Sequence, residues 1–277
     1  MLNVLFWNLN RKKNEEYIVS CIVENDVDIA VFAEYQDTSN KSSAIDISSI
    51  ESNLGNMFAR VTGVETEGKV LLLAKKTIAV KQIQQEARYS CYVIETAIKR
   101  YLLAAVHLED RINYPEPERR IETIHRLIRD IKKNEENLGI ENTIVIGDFN
   151  ANPYDKELIY KYAFNAVMFK SIIEENEFTN PKGERIKRFY NPIIHYLSED
   201  TRMYGSHYYD DSDKRGTPYW HCLDQVLIRK SLIDFLKAVK YIKTIDGMDL
   251  LKGSRPNKDI SDHLPLFVNL LEVDDGI

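Results

Sequence analysis

The chain has 277 residues, 44% hydrophobic and 29% charged, a composition that supports a globular core and excludes wholesale disorder. Its 37 basic and 43 acidic side chains leave a net charge of −6, which argues against a protein that coats nucleic acid through bulk positive charge. Three cysteines, Cys21, Cys91 and Cys222, are far apart and form no CxxC pair, so neither a disulfide framework nor a zinc knuckle is expected.

The N-terminus carries a short apolar run before a basic cluster, the reverse of a signal peptide. No 18-residue apolar window occurs, so no membrane span is expected. The expectation is a cytoplasmic protein with no membrane partner.

Residues 3–7 form an apolar run of the kind a buried strand uses, 15–25 carry apolar positions at helical spacing, and 28–32 form a second apolar run ending near Glu34. This strand–helix–strand opening predicts two parallel neighbours. Segments 68–75, 78–84, 88–98 and 100–107 follow as serial strands, which predicts antiparallel pairing. Then comes a long helix with Pro115 and Pro117 in its first turn, Ile121, Ile124, Ile128 and Ile131 on one face, and Gly139 as its stop. A strand at 142–147, a helix at 155–162, and strands at 223–229, 239–245 and 264–271 complete the pattern. Residues 176–220 are polar, aromatic-rich and weakly periodic. No repeat or linker divides the chain, so residues 1–277 are expected to form a single domain.

The residues that carry chemistry sit at strand ends. Ile144-Val145-Ile146-Gly147 runs into Asp148-Phe149-Asn150, which places a base or metal ligand two residues from a neutral donor suited to a phosphate oxygen. Ser261-Asp262-His263 precedes the last strand, offering a hard-metal ligand beside an imidazole able to bind or protonate phosphate. Asp224 lies within an apolar strand, and a buried carboxylate needs a partner such as a histidine.

Trp7-Asn8-Leu9-Asn10, the strand ending at Glu34, His107-Leu108, Gly147-Asp148-Phe149-Asn150, Leu223-Asp224 and Ser261-Asp262-His263 occur in this order over nearly the whole chain. Together they resemble the endonuclease/exonuclease/phosphatase superfamily, the group of DNase I and exonuclease III. The resemblance implies a four-layer α/β/β/α sandwich of two mixed sheets, with a metal-dependent phosphoesterase site at one rim. It implies Glu34 as the principal Mg²⁺ ligand, with Asn10 and Asp262 near it and Mn²⁺ as an alternative ion. By the same resemblance, Asn8 would position the base or phosphate, Asp148 would orient or deprotonate the attacking water, and Asn150 would bind a phosphate oxygen. His263, oriented by Asp224, would contact the scissile phosphate, and His107 would be a second phosphate contact.

The chain departs from the pattern at three points. Ala33 stands where Gln often precedes the metal-binding glutamate, and Asn10 is neutral and followed by Arg11 where the family often has a charged residue and glycine. Glu67 is the candidate for a glutamate that partners the first histidine in the DNase I branch. Arg11 and Lys12, directly after Asn10, are candidates for phosphate-backbone contact. Residues 182–220 interleave cations with aromatics, which suits single-stranded nucleic acid but also a solvated sheet face. The leading function is a Mg²⁺-dependent DNA or RNA nuclease. The alternatives are hydrolysis of a small phosphoester (a nucleotide, an inositol phosphate or a protein–DNA adduct) and a catalytically inactive binding module.

Overall fold

The computed structural model describes residues 1–36, 45–61, 70–174, 178–179, 183, 185–199, 205–210, 212 and 218–272. Glu67 therefore lies outside the described residues, as do Lys182, Arg202, Lys214 and Arg215 of the basic stretch.

The opening unit is β1 (Leu2–Asn8), α1 (Glu15–Glu24) and β2 (Ile29–Ala33). All seven residues of β1 and all five of β2 are buried, as strands covered on both faces require. The two strands pair in parallel, with Asn8 opposite Ala33 at the C-terminal end. A short α2 (Ile47–Asn53) follows, its start capped by the Asp46 side chain accepting from the Ser49 N–H. Then β3 (Phe58–Arg60) and β4 (Val70–Lys75) extend the sheet beyond β2. On the other side of β1 lie Leu266–Leu270 and then Leu236–Tyr241, both antiparallel.

The second sheet begins with the meander β5 (Ala79–Gln85), β6 (Tyr89–Glu95) and β7 (Arg100–His107). Helix α3 (Pro117–Leu138) then returns the chain so that β8 (Thr143–Asp148) runs parallel to β7. Proline occupies the first turn of α3, and Gly139, at φ +62°, closes it in the left-handed conformation. Asp224–Ile228 joins β8 antiparallel, and the two-residue strands Phe189–Tyr190 and β9 (Ala166–Val167) complete the edge.

Strand alternation builds the layers. Leu102, Ala104 and Val106 of β7 pack with Ile124, Leu127 and Ile131 of α3. Tyr101, Leu103 and Ala105 point the other way, into an apolar cluster shared with β1, β2 and β4. Ile18, Cys21 and Ile22 of α1 join that cluster from the far side of the first sheet. The order is helix, sheet, sheet, helix, the four-layer mixed α/β sandwich of the DNase I-like fold.

Several boundaries differ from the sequence reading. Pro115 lies outside α3, which starts at Pro117. The expected helix over 155–162 is only α4 (Lys156–Ile159), because Tyr160 turns to extended backbone. The strand expected at 239–245 starts earlier, at Leu236, and stops at Tyr241, with a bulge between Leu236 and Ala238. All three cysteines are free and buried, and no helix among the described residues is long and apolar enough to cross a membrane.

Candidate active site

Because β1 pairs in parallel with β2, and β7 with β8, the four strands deliver their C-terminal residues to one rim. Asn8 ends β1, Glu34 follows β2, His107 ends β7 and Asp148 ends β8. Within the second sheet, Asp148 stands opposite His107 on one side and Asp224 on the other. The close approach of β7 and β8 requires glycine before Asp148. A Cβ on Gly147, which has φ +153°, would lie 2.0 Å from the Val106 carbonyl oxygen.

Asn8 joins the two sheets. Its Nδ2 donates to Asp148 Oδ2 at 3.0 Å and, at 3.4 Å, to Glu34 Oε1. Its Oδ1 accepts from the Asn10 backbone N–H at 3.0 Å. Asn10 and Arg11 adopt positive φ of 46° and 57°, and Glu34 itself sits at 47°. Left-handed backbone costs a non-glycine residue about 1–2 kcal/mol, and such strain concentrates where a side chain must be aimed. Here Leu9 N–H to Ala33 O at 2.9 Å and Arg11 N–H to Glu34 O at 2.8 Å hold the two turns together.

Glu34 also receives the Arg11 guanidinium, 2.9 Å from Oε2. The structure thus places Arg11 on a site carboxylate, while Lys12 closes the turn with its backbone N–H on Leu9 O. His107 Nε2 lies 3.6 Å from Glu34 Oε1 and 4.0 Å from Asp148 Oδ2. Asn150, at φ 49°, folds back so that its N–H donates to Asp148 Oδ1 at 2.8 Å and its Nδ2 to Leu108 O at 3.0 Å.

His263 also approaches Asp148, with Nε2 4.0 Å from the same Oδ2. Its Nδ1 meets Asp224 Oδ2 at 2.7 Å, and Asp224 is wholly buried. The loop carrying it is tied to β1: Trp7 Nε1 donates to His263 O at 3.0 Å and Ser261 Oγ to Asn8 O at 2.7 Å. Asp224 is fixed from behind by the Ser206 hydroxyl, which accepts from its N–H, and by Tyr241, whose hydroxyl donates to its carbonyl. Asp262, between Ser261 and His263, brings a carboxylate oxygen within 4.8 Å of imidazole nitrogens of His263 and His207.

These surroundings set the charges. Burial, and next the nearby Asp224 carboxylate, push the Asp148 pKa up to about 7, against the opposing pull of His263, the Asn150 N–H and Asn8. Burial works against charge on His263, but Asp224 outweighs it, with Asp148 and Asp262 adding, and the imidazole pKa rises to about 10. Both groups therefore hold a proton more readily than a free carboxylate or a free imidazole.

Sequence reasoning missed Ser206, Tyr241 and His207. Gly205-Ser206 is the one local signal: a Cβ on Gly205 would lie 2.5 Å from the His221 carbonyl oxygen. The glycine marks a tight crossing, but nothing local shows that the crossing lies behind Asp224.

No protein-family model and no curated protein matches the sequence. Solved structures share the fold at low identity. The endonuclease domain of TRAS1, a telomere-specific non-LTR retrotransposon, is 15% identical with a TM-score of 0.51, covering 98% of each chain. A truncated Caenorhabditis elegans TDP2 is 15% identical with a TM-score of 0.58, covering 98% of this chain and 97% of that one. A humanized D. rerio TDP2 is 12% identical with a TM-score of 0.54, covering 98% of both.

Proposed function

We propose that this chain is a Mg²⁺-dependent phosphodiesterase that hydrolyses nucleic acid, DNA or RNA, with residues 1–277 acting as one catalytic unit. The observation that carries the reading is the Asn8 amide bridging Glu34 and Asp148, carboxylates from different sheets, with two imidazoles 4.0 Å from Asp148. The likeness in fold to an endonuclease domain supports it.

Glu34 and Asp148 bring carboxylate oxygens together across the Asn8 Nδ2, and hard oxygen donors are what Mg²⁺ takes. Glu34 is the principal ligand, with Asp262 and Asn10 contributing and Mn²⁺ as the alternative ion. The bound ion supplies charge stabilisation at a phosphoryl oxygen.

The remaining chemistry belongs to the side chains. Asp148 holds the attacking water and takes its proton, a task matched to a pKa near 7. Asn8 and the Asn150 N–H aim its two oxygens. His263, kept protonated by Asp224, donates from Nε2 to a phosphate oxygen as negative charge develops. His107 makes the second phosphate contact, beside Glu34. Arg11 lies at the outer side of Glu34, where it meets the substrate backbone with Lys12.

Nucleic acid is favoured over a small ester by the hairpin His207–Tyr209 with Tyr219–His221, which packs Tyr209 against His207 and pairs it with an exposed Tyr219. Such rings stack on bases. The three free thiols suit a cytoplasmic, reducing setting.

The test is a panel of DNA, RNA, mononucleotides and inositol phosphates with Mg²⁺ or Mn²⁺. Cleavage of a polynucleotide that chelator and Asp148→Ala both abolish is expected. No cleavage of any nucleic acid at high enzyme refutes the reading, and hydrolysis confined to the small esters replaces it with the phosphatase one.

A further inference from the structure

His207 has no part in the chemistry proposed so far, yet its position is built. It is 7% exposed and forms an antiparallel bridge with His263, and the two rings lie 4.4 Å apart at 49°. The residue before it is tied on three sides. The Ser206 N–H donates to His221 O at 2.9 Å, its carbonyl accepts from Leu264 N–H at 2.8 Å, and its hydroxyl accepts from the Leu223 and Asp224 N–H groups. The backbone that carries His207 is therefore bound to the elements that carry Asp224 and His263. The Asp262 carboxylate completes a group of three ligand atoms, all within 4.8 Å of one another.

We propose that His207, Asp262 and His263 form a site for one borderline divalent cation, Zn²⁺ before others, beside the Mg²⁺ position at Glu34, with which it shares Asp262. Two imidazole nitrogens and one carboxylate are a donor set that Zn²⁺ accepts readily, whereas Mg²⁺ prefers oxygen throughout. Ligand atoms about 2.0–2.1 Å from a common zinc ion are closer together than 4.8 Å, so the three side chains draw in to close the site, and Asp262 is the least buried of them. The outer support is already present. Asp224 holds Nδ1 of His263 at 2.7 Å, the carboxylate–histidine arrangement that orients a ligand nitrogen and strengthens it. With Nδ1 engaged, Nε2 is the atom that His263 offers. Asp148, Asp224 and His263 also lie within 4.8 Å of one another, but Asp224 is wholly buried and already committed to Nδ1.

Binding places the ion on Nε2 of His263. It also removes the donor that the phosphate needs, so Zn²⁺ inhibits Mg²⁺-supported hydrolysis. That consequence rests on the proposed phosphodiesterase reading; the binding does not.

The test titrates the metal-stripped full chain with Zn²⁺ by calorimetry and with Co²⁺ by visible absorption. One ion per chain is expected. His207→Phe, which keeps a ring against His263, should weaken Zn²⁺ binding at least tenfold, and Asp224→Asn by about 10–100-fold, with circular dichroism reporting the fold. A folded His207→Phe that binds Zn²⁺ as tightly as the parent overturns the site. If His207→Phe does not fold, His207→Gln decides: weakened binding supports the site and undiminished affinity overturns it. Loss of Zn²⁺ binding in these variants supports the metal site even if no nucleic acid is ever cut.

Discussion

Two histidines stand at the same distance from Asp148, 4.0 Å from Nε2 to Oδ2, yet among the described residues their other carboxylate contacts differ. His263 stands on a wholly buried carboxylate, with Asp224 2.7 Å from Nδ1. His107 ends an edge of β7, and its Nε2 also leans toward the partly exposed Glu34 at 3.6 Å. The buried partner converts one imidazole into a standing cation with a pKa of about 10. Equal distance to the same carboxylate therefore does not imply an equal role. The Asp224 carboxylate behind His263 suits that ring to deliver a proton.

Removing what both rings face should have the largest effect. Asp148→Ala should lower kcat on a polynucleotide by about 10²–10⁴, the range for a lost general base, measured by initial rates at saturating Mg²⁺. The asymmetry itself is tested next. His263→Ala should lower kcat by about 10²–10³, as loss of a charged donor at a developing oxyanion does, and His107→Ala by clearly less. Equal losses would break the distinction. Asp224→Asn should cost nearly as much as His263→Ala while leaving His107 untouched, because it removes the charge that keeps His263 protonated.

Stability gives a reading that does not need a substrate. The folded pKa of His263 is raised above its ordinary 6.5, so its contribution is fully present below pH 6.5 and is lost as pH rises toward about 10. Asp148 is also raised, from 3.8 to about 7, so the fold favours its neutral form. That contribution is present below pH 3.8 and is lost as pH rises through 7. Thermal melts should show Tm falling across both windows in the parent. Asp148→Asn should flatten the lower window and hold or raise Tm at pH 8, and Asp224→Asn should flatten the upper one. A Tm of Asp224→Asn that falls as steeply as the parent's above pH 6.5 would show that Asp224 does not govern His263.

The first half of this contrast is legible in the sequence and the second is not. Gly147-Asp148 at the end of an apolar strand, the runs ending at Asn8 and Glu34, and the helix bracketed by Pro117 and Gly139 all declare themselves locally. Composition, periodicity and turn chemistry act there over a few residues. The Asp224–His263 pair is suggested by a carboxylate in an apolar strand, since burial demands a partner. The rest depends on tertiary contacts. Phe189–Tyr190 is a strand of two residues, too short to show a period. Leu236–Tyr241 bulges, which shifts its alternation. α2 has one fully buried residue, Ile50, and so no apolar stripe. His207 reaches the site only because its strand bridges to His263, 56 positions later in the chain.

The smallest expected effect separates chemistry from grip. Tyr219 is 55% exposed and pairs with Tyr209 in the hairpin that begins at His207. At about 3.3 Å per residue, two residues put it roughly 7 Å along the strand from the histidine pair. On the proposed nuclease reading, a ring so placed would stack on a base beyond the one at the scissile phosphate, and a lost base–aromatic stack costs about 1 kcal/mol or more. Tyr219→Ala should therefore raise KM for a polynucleotide about fivefold, leave kcat unchanged, and have no effect on a small phosphoester that ends at the reacting phosphate. A matching loss on the small ester would place Tyr219 among the groups that support His263, so that the hairpin shapes the proton donor and not the substrate path.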